Sequence, residues 1–238
     1  MKDLRSFILV DDNAGADVTP QVLAQIAAAV QAQIALDFAP HWGWVGVSVL
    51  TGPAPAQDSP AVPVYIRAKS DVEGAAGYHD DAGIYVFRDG LPELTKGAFS
   101  LSVVVSHEIL EALGDPGANR WADMGNGVEV AIEMCDAVEG FCYDMAGTDV
   151  SDFLLPSYFD PGGAGPYSFM GKPSAPFAIA PDANQDYQIE RRVNEQGVKQ
   201  VTAALVDGCD MTIHPRASAK RHHSSRTSRR GVPCGAKR

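Results

Sequence analysis

The spacing of apolar residues changes repeatedly along the chain. Residues 5–10 form a short apolar run closed by Asp11-Asp12-Asn13-Ala14-Gly15, the pattern of a buried strand ending in a turn. Thr19-Pro20 then opens a helix, with Thr19 as N-cap and Pro20 at the first helical position. Val22, Leu23, Ile26, Val30, Ile34 and Phe38 recur at helical spacing up to Pro40. Strand patterns return at 43–50, at Val62 to Ala68 and at Gly83 to Arg88, and a Pro/Ala-rich loop covers 52–61. The segment from about Gly97 to Leu113 is a long apolar run with helical length, stopped by Gly114 and Asp115-Pro116, with Gly114 expected at the helix C-cap. The predicted order is strand, helix, strand, strand, strand, helix, which argues an α+β or α/β domain.

After Gly117 the periodicity weakens. Asn126 with Glu129 three residues on has capping-box spacing and predicts a short helix to about Asp136. Residues 140–181 are rich in Gly, Pro and aromatics and predict a folded, loop-rich lobe, since the aromatics need burial. A last strand or helix falls around 197–206. Residues 215–238 are rich in Ser, Arg and His, with almost no large apolar residues, and predict a disordered tail. The expected division is therefore 1–137, 138–214 as a lobe of the same unit, and the tail 215–238.

Charge sharpens this division. The 238 residues carry a net charge of −11, but 8 Lys/Arg and no Asp/Glu lie beyond position 214. The body is thus strongly acidic. That argues against a nucleic-acid-binding core and is compatible with binding cations; weak electrostatic contact with nucleic acid is left to the tail. The first dozen residues lack the long apolar stretch of a signal peptide, and no uninterrupted apolar run reaches about 18 residues, so no membrane span is expected. A cytoplasmic protein with reduced cysteines is the expectation. A virion location, or export by another route with a Cys135–Cys142 bridge, is the alternative.

The candidate chemistry lies in the second apolar helix, at Ser106-His107-Glu108-Ile109-Leu110-Glu111. This His-Glu-x-x-Glu differs at one position from His-Glu-x-x-His, in which two histidines bind zinc and the glutamate activates water. Residues i and i+4 share a helix face, so His107 and Glu111 can reach one cation, and Glu108 can contact water beside it. Ionisable groups within an apolar helix are costly unless paired or metal-bound. The plain alternative for His107 and Glu111 is a buried hydrogen-bonded pair. A third ligand must come from elsewhere. Glu129 and Glu133 are candidates, and Glu133, placed mid-helix with Asp136 one turn later, is the better one. Asp136 is then expected to accept the other ring N–H of His107. Asp182-x-Asn184-x-Asp186 resembles the start of a calcium loop, but Tyr187 stands where that loop needs Gly, so a solvated loop is the expectation.

With Glu133-Met-Cys-Asp136 downstream, the pattern resembles the gluzincin branch of zincin metallopeptidases. The stretch from Ser106 to Pro116 is also similar to a zincin-like group from phages and bacteria. The resemblance covers roughly residues 5–137. It implies a zincin-like α+β fold, with a mixed twisted sheet packed on the active-site helix. It also implies His107, Glu111 and Glu133 as metal ligands, Glu108 as general base acting on metal-bound water, and Asp136 behind the ligands. Residues 83–88 are expected to be the edge strand that pairs with an extended peptide or protein substrate. A second electrophile is expected among Tyr78, His79, Tyr143 and Tyr158, with His79 preferred. One divalent metal is implied, zinc first. The carboxylate at Glu111 weakens the preference for zinc and admits manganese, iron or calcium. The competing reading is a non-catalytic zincin-like protein, structural or interacting, whose metal serves stability. A carboxylate-bridged dimetal oxidase fits poorly, because such sites sit in helical bundles.

Overall fold

Alternating apolar strands joined by amphipathic helices build a sheet covered on one face. The computed structural model describes residues 6–72, 75–117, 119–125, 127–180, 187–193, 199–205 and 211–212. The first sheet comprises β1 (Ser6–Asp11), β2 (Ser48–Thr51), β3 (Val62–Arg67), β4 (Gly77–Asp80) and β5 (Gly83–Phe87), in the order β2-β1-β3-β5-β4. All neighbours are parallel except β4, which runs antiparallel to β5. The chain is therefore a mixed α+β protein. The strand expected at the edge, β5, is interior, because β3 and β4 flank it. The terminal strand on that side is β4.

Helix α1 (Pro20–Gln33) starts at Thr19, whose side chain accepts the Val22 N–H, and turns Leu23, Ile26, Ala29 and Val30 inward. It continues through a π-helical turn, Ile34–Phe38, into the short α2 (Ala39–Trp42), with Pro40 at its start. The run Pro20–Trp42 is long and apolar enough, by length and composition, to cross a membrane, although Gln and Asp residues interrupt it. Here its apolar face belongs to the core beside Phe7, Leu9 and Val49.

Helix α3 (Leu101–Gly114) carries the His-Glu-x-x-Glu motif, and all of its residues are buried. It packs against β4 and β5 on one side and against α1 and β9 (Thr148–Ser151) on the other. Two hydroxyls tie it to β9: Ser106 Oγ accepts the Ser151 N–H at 2.8 Å, and Ser102 Oγ donates to Asp149 O at 2.6 Å. Ser100 caps its start through the Val103 N–H, four residues later than the sequence predicts. Gly114 is the last helical residue and not a left-handed cap. Its lack of a side chain admits Met134, since a Cβ there would fall 1.9 Å from Met134 Cε.

The helix predicted up to Asp136 is absent. Val128–Ala131 is a strand, β7, and a single 3₁₀ turn follows at Asp136–Val138. The expected cap Asn126 lies outside the described residues. Glu129 sits on β7 and pairs with Arg191. Strand β7 joins β6 (Trp121–Asp123), β10 (Tyr187–Val193), β11 (Lys199–Leu205) and β12 (Met211–Thr212) in a second sheet, ordered β12-β11-β10-β7-β6. That sheet unites strands from both sides of position 137. The segment between them holds the hairpin β8 (Cys142–Met145)–β9 and a loop region. Phe153, Tyr158 and Phe177 are buried there, as the sequence predicts. Cys135 and Cys142 are free thiols, not a bridge. The calcium-like residues Asp182 to Asp186 and the basic tail lie outside the described residues.

Candidate metal centre

The site lies where the middle of α3 meets β4 and the segment after β7. His107 and Glu111, one turn apart, place Nε2 and Oε1 at 3.2 Å. Two ligands about 2 Å from one tetrahedral ion stand roughly 3.3 Å apart, so this spacing suits a shared cation. Asp136 Oδ1 lies 3.5 Å from the same Nε2. Asp136 therefore faces the nitrogen that Glu111 faces, not the opposite ring nitrogen, and stands where a ligand would. The backbone N–H of Cys135 donates to Glu111 Oε1 at 3.4 Å and fixes that carboxylate from the β7 side.

The electrostatics favour a positive charge at His107. Burial opposes charging the ring, but Glu111 foremost, then Asp136 and Glu108, outweigh it and push the imidazole up to about 10. A proton or a metal cation would each satisfy that field. The adjacent Cys135 thiol is pushed up by burial, then by Glu111, and so stays protonated.

Glu108 lies on the adjoining side of α3, against β4. Its Oε2 lies 3.5 Å from His79 Nδ1. The contact depends on Gly77, where a Cβ would fall 2.8 Å from Glu108 Oε1. Alternation along β4 then turns Tyr78 to the far face, where it joins Phe87 and Ala75 and its hydroxyl meets Asp71 at 3.2 Å. Tyr143 donates its hydroxyl to Asp37 beside α1. Tyr158 is engaged with Gln188 and shares a small cleft with Glu133 and Asp136. Of the four electrophile candidates, His79 is the one set against Glu108.

Among the described residues, ligand-type atoms converge within 4.8 Å of one another in two buried groups, His107–Glu111–Cys135 and His79–Glu108–Glu111. Glu133 is buried but belongs to neither; it lies in the extended connection before the 3₁₀ turn. Nothing in the local sequence marks Gly77 or Cys135 as part of the site. Only the contact each makes across the fold reveals it, although Cys135 adjoins the predicted Asp136. His79 also lines a cleft of about 780 Å³ between the 55–61 loop, the β4–β5 turn, and Ala112 and Pro116 at the end of α3.

No family model matches the chain, and no curated protein and no solved structure matches it either.

Proposed function

We propose that the protein is a metal-dependent hydrolase of the zincin-like kind, acting on peptide bonds. The observation that carries the reading is the arrangement of His107 Nε2, Glu111 Oε1 and Asp136 Oδ1 within 3.5 Å of the shared nitrogen, with Glu108 on the adjoining side of α3. His107 and Glu111 would hold a divalent ion, zinc first, and the Glu133–Asp136 segment would supply the third ligand. Asp136 is the member of that segment already at the ring. The ion would supply Lewis-acid polarisation of a carbonyl and acidification of water.

The residues around it would do the rest. Glu108 would take a proton from the attacking water and return it to the leaving amine. His79 would orient the Glu108 carboxylate and donate to developing negative charge. Strand β4, terminal in its sheet, would pair with an extended peptide, in the role the sequence assigned to β5. His79, though buried, lies in the wall of the adjacent cleft.

The test is hydrolysis of a peptide library by zinc- or manganese-loaded protein, with Glu108→Gln beside the wild type. The expected outcome is activity in the wild type, a loss of roughly 10²–10⁴-fold in the variant, and retained metal in both. A second reading is a non-catalytic metal-binding protein. Burial favours it, since His79, Glu108 and Glu111 are only 1%, 2% and 0% exposed. An inactive wild type with firmly held metal would select that reading.

A further inference from the structure

We propose a second cation position beside the first, formed by His79, Glu108 and Glu111, with Glu111 shared between the two. These three residues bring one imidazole and two carboxylates within 4.8 Å of one another. That donor set suits a first-row divalent ion such as zinc or manganese. It is drawn from two elements, β4 and α3, whose approach is fixed by Gly77, so the donors are positioned by the fold. A metal site also needs an entry path; His79, itself buried, lies in the wall of the 780 Å³ cleft. A carboxylate can bridge two ions roughly 3.5–4 Å apart, and Glu111 is the residue common to both groups.

The consequence rests on the hydrolase reading. An ion held by Glu108 engages the carboxylate that would otherwise accept the proton. The second ion therefore inhibits: activity rises as the first position fills and falls as the second does. The fold thus carries a metal-concentration switch in which Glu108 is base or ligand, never both.

Binding tests the site without reference to activity. Equilibrium dialysis of the full chain against zinc should give two equivalents, the second weaker. His79→Ala should lose the second and keep the first, and His107→Ala should weaken the first. If His79→Ala does not fold, an optical titration of the wild type with cobalt serves, with a second break expected beyond one equivalent. One equivalent in the wild type, retained in His79→Ala, overturns the proposal, as do two equivalents that both survive it. A single equivalent lost in His79→Ala but kept in His107→Ala upholds this site and overturns the first. In wild type that hydrolyses peptides, zinc beyond the first equivalent should lower the rate roughly tenfold or more; two bound equivalents with an unaltered rate overturn the inhibitory role.

Discussion

Gly77 is the floor on which the Glu108 carboxylate rests: a methyl group at position 77 would lie 2.8 Å from Oε1 and 2.9 Å from Cγ of Glu108. Strand β4 and helix α3 approach as closely as they do because that methyl is missing. Gly77→Ala should therefore swing Glu108 away from His79. Misplacement of a reacting group by about 1 Å can cost roughly 10²-fold in rate. The expected result is a kcat loss of that order, with metal retained at His107. Rate and metal content measured on one preparation check it, and an unchanged kcat would refute the positioning.

The proposed metal ligands are separable by metal retention. His107→Ala and Glu111→Ala should each lose the tightly held ion, because each removes a donor from a group that stands at bonding separation. Asp136→Asn should weaken retention more than Glu133→Gln, since Asp136 is the one that faces His107 at 3.5 Å. The reverse order would assign the third bond to Glu133. Mass spectrometric metal analysis after dialysis reads both.

Much of this region is legible in the residues, for physical reasons. The α3 segment is announced by a largely apolar run and stopped by Gly114-Asp115-Pro116, so local pattern and burial agree. Strand β4 has no such signature. Gly77-Tyr-His-Asp80 lacks the β-branched side chains of a strand, and only pairing with β5 and the contact with Glu108 make it one. The 126–136 error has another cause. Asn126 and Glu129 mimic a capping box, but Val128 and Val130 alternate, and pairing with β10 some sixty residues later decides the outcome. A long-range partner of that kind leaves no local trace in the sequence beyond two alternating valines.

Stability should depend on pH through Asp152. This buried carboxyl accepts the N–H groups of Phe153 and Met170 and the Ser168 hydroxyl, yet burial outweighs them and pushes it up to about 6. The folded state therefore holds a proton that the unfolded chain releases near pH 4. Its stabilising contribution is full below that pH and is lost as pH rises to about 6, on the order of 3 kcal/mol in all. Asp152→Asn keeps an acceptor for both N–H groups and should flatten this part of the profile. Urea melts between pH 4 and pH 8 would show it; an unchanged slope would refute it.

Gly114 supplies a prediction remote from the chemistry. Because a Cβ there would meet Met134 Cε at 1.9 Å, Gly114→Ala should overpack the contact and cost about 1–3 kcal/mol despite the better helix former. Met134→Ala in the same chain should recover part of that loss. Thermal melts of both single variants and the double variant measure the coupling.

The segment from Glu133 to Ala137 is held by residues far along the chain. Leu154 N–H bonds to Met134 O at 2.6 Å, Ala180 N–H bonds to Ala137 O at 3.0 Å, and β10 pairs with β7 immediately before it. A fragment ending at residue 137 would carry every donor proposed for the metal and none of these restraints. The loop-rich lobe is thus the rear wall of the candidate site, and a minimal catalytic fragment would have to extend at least through β10.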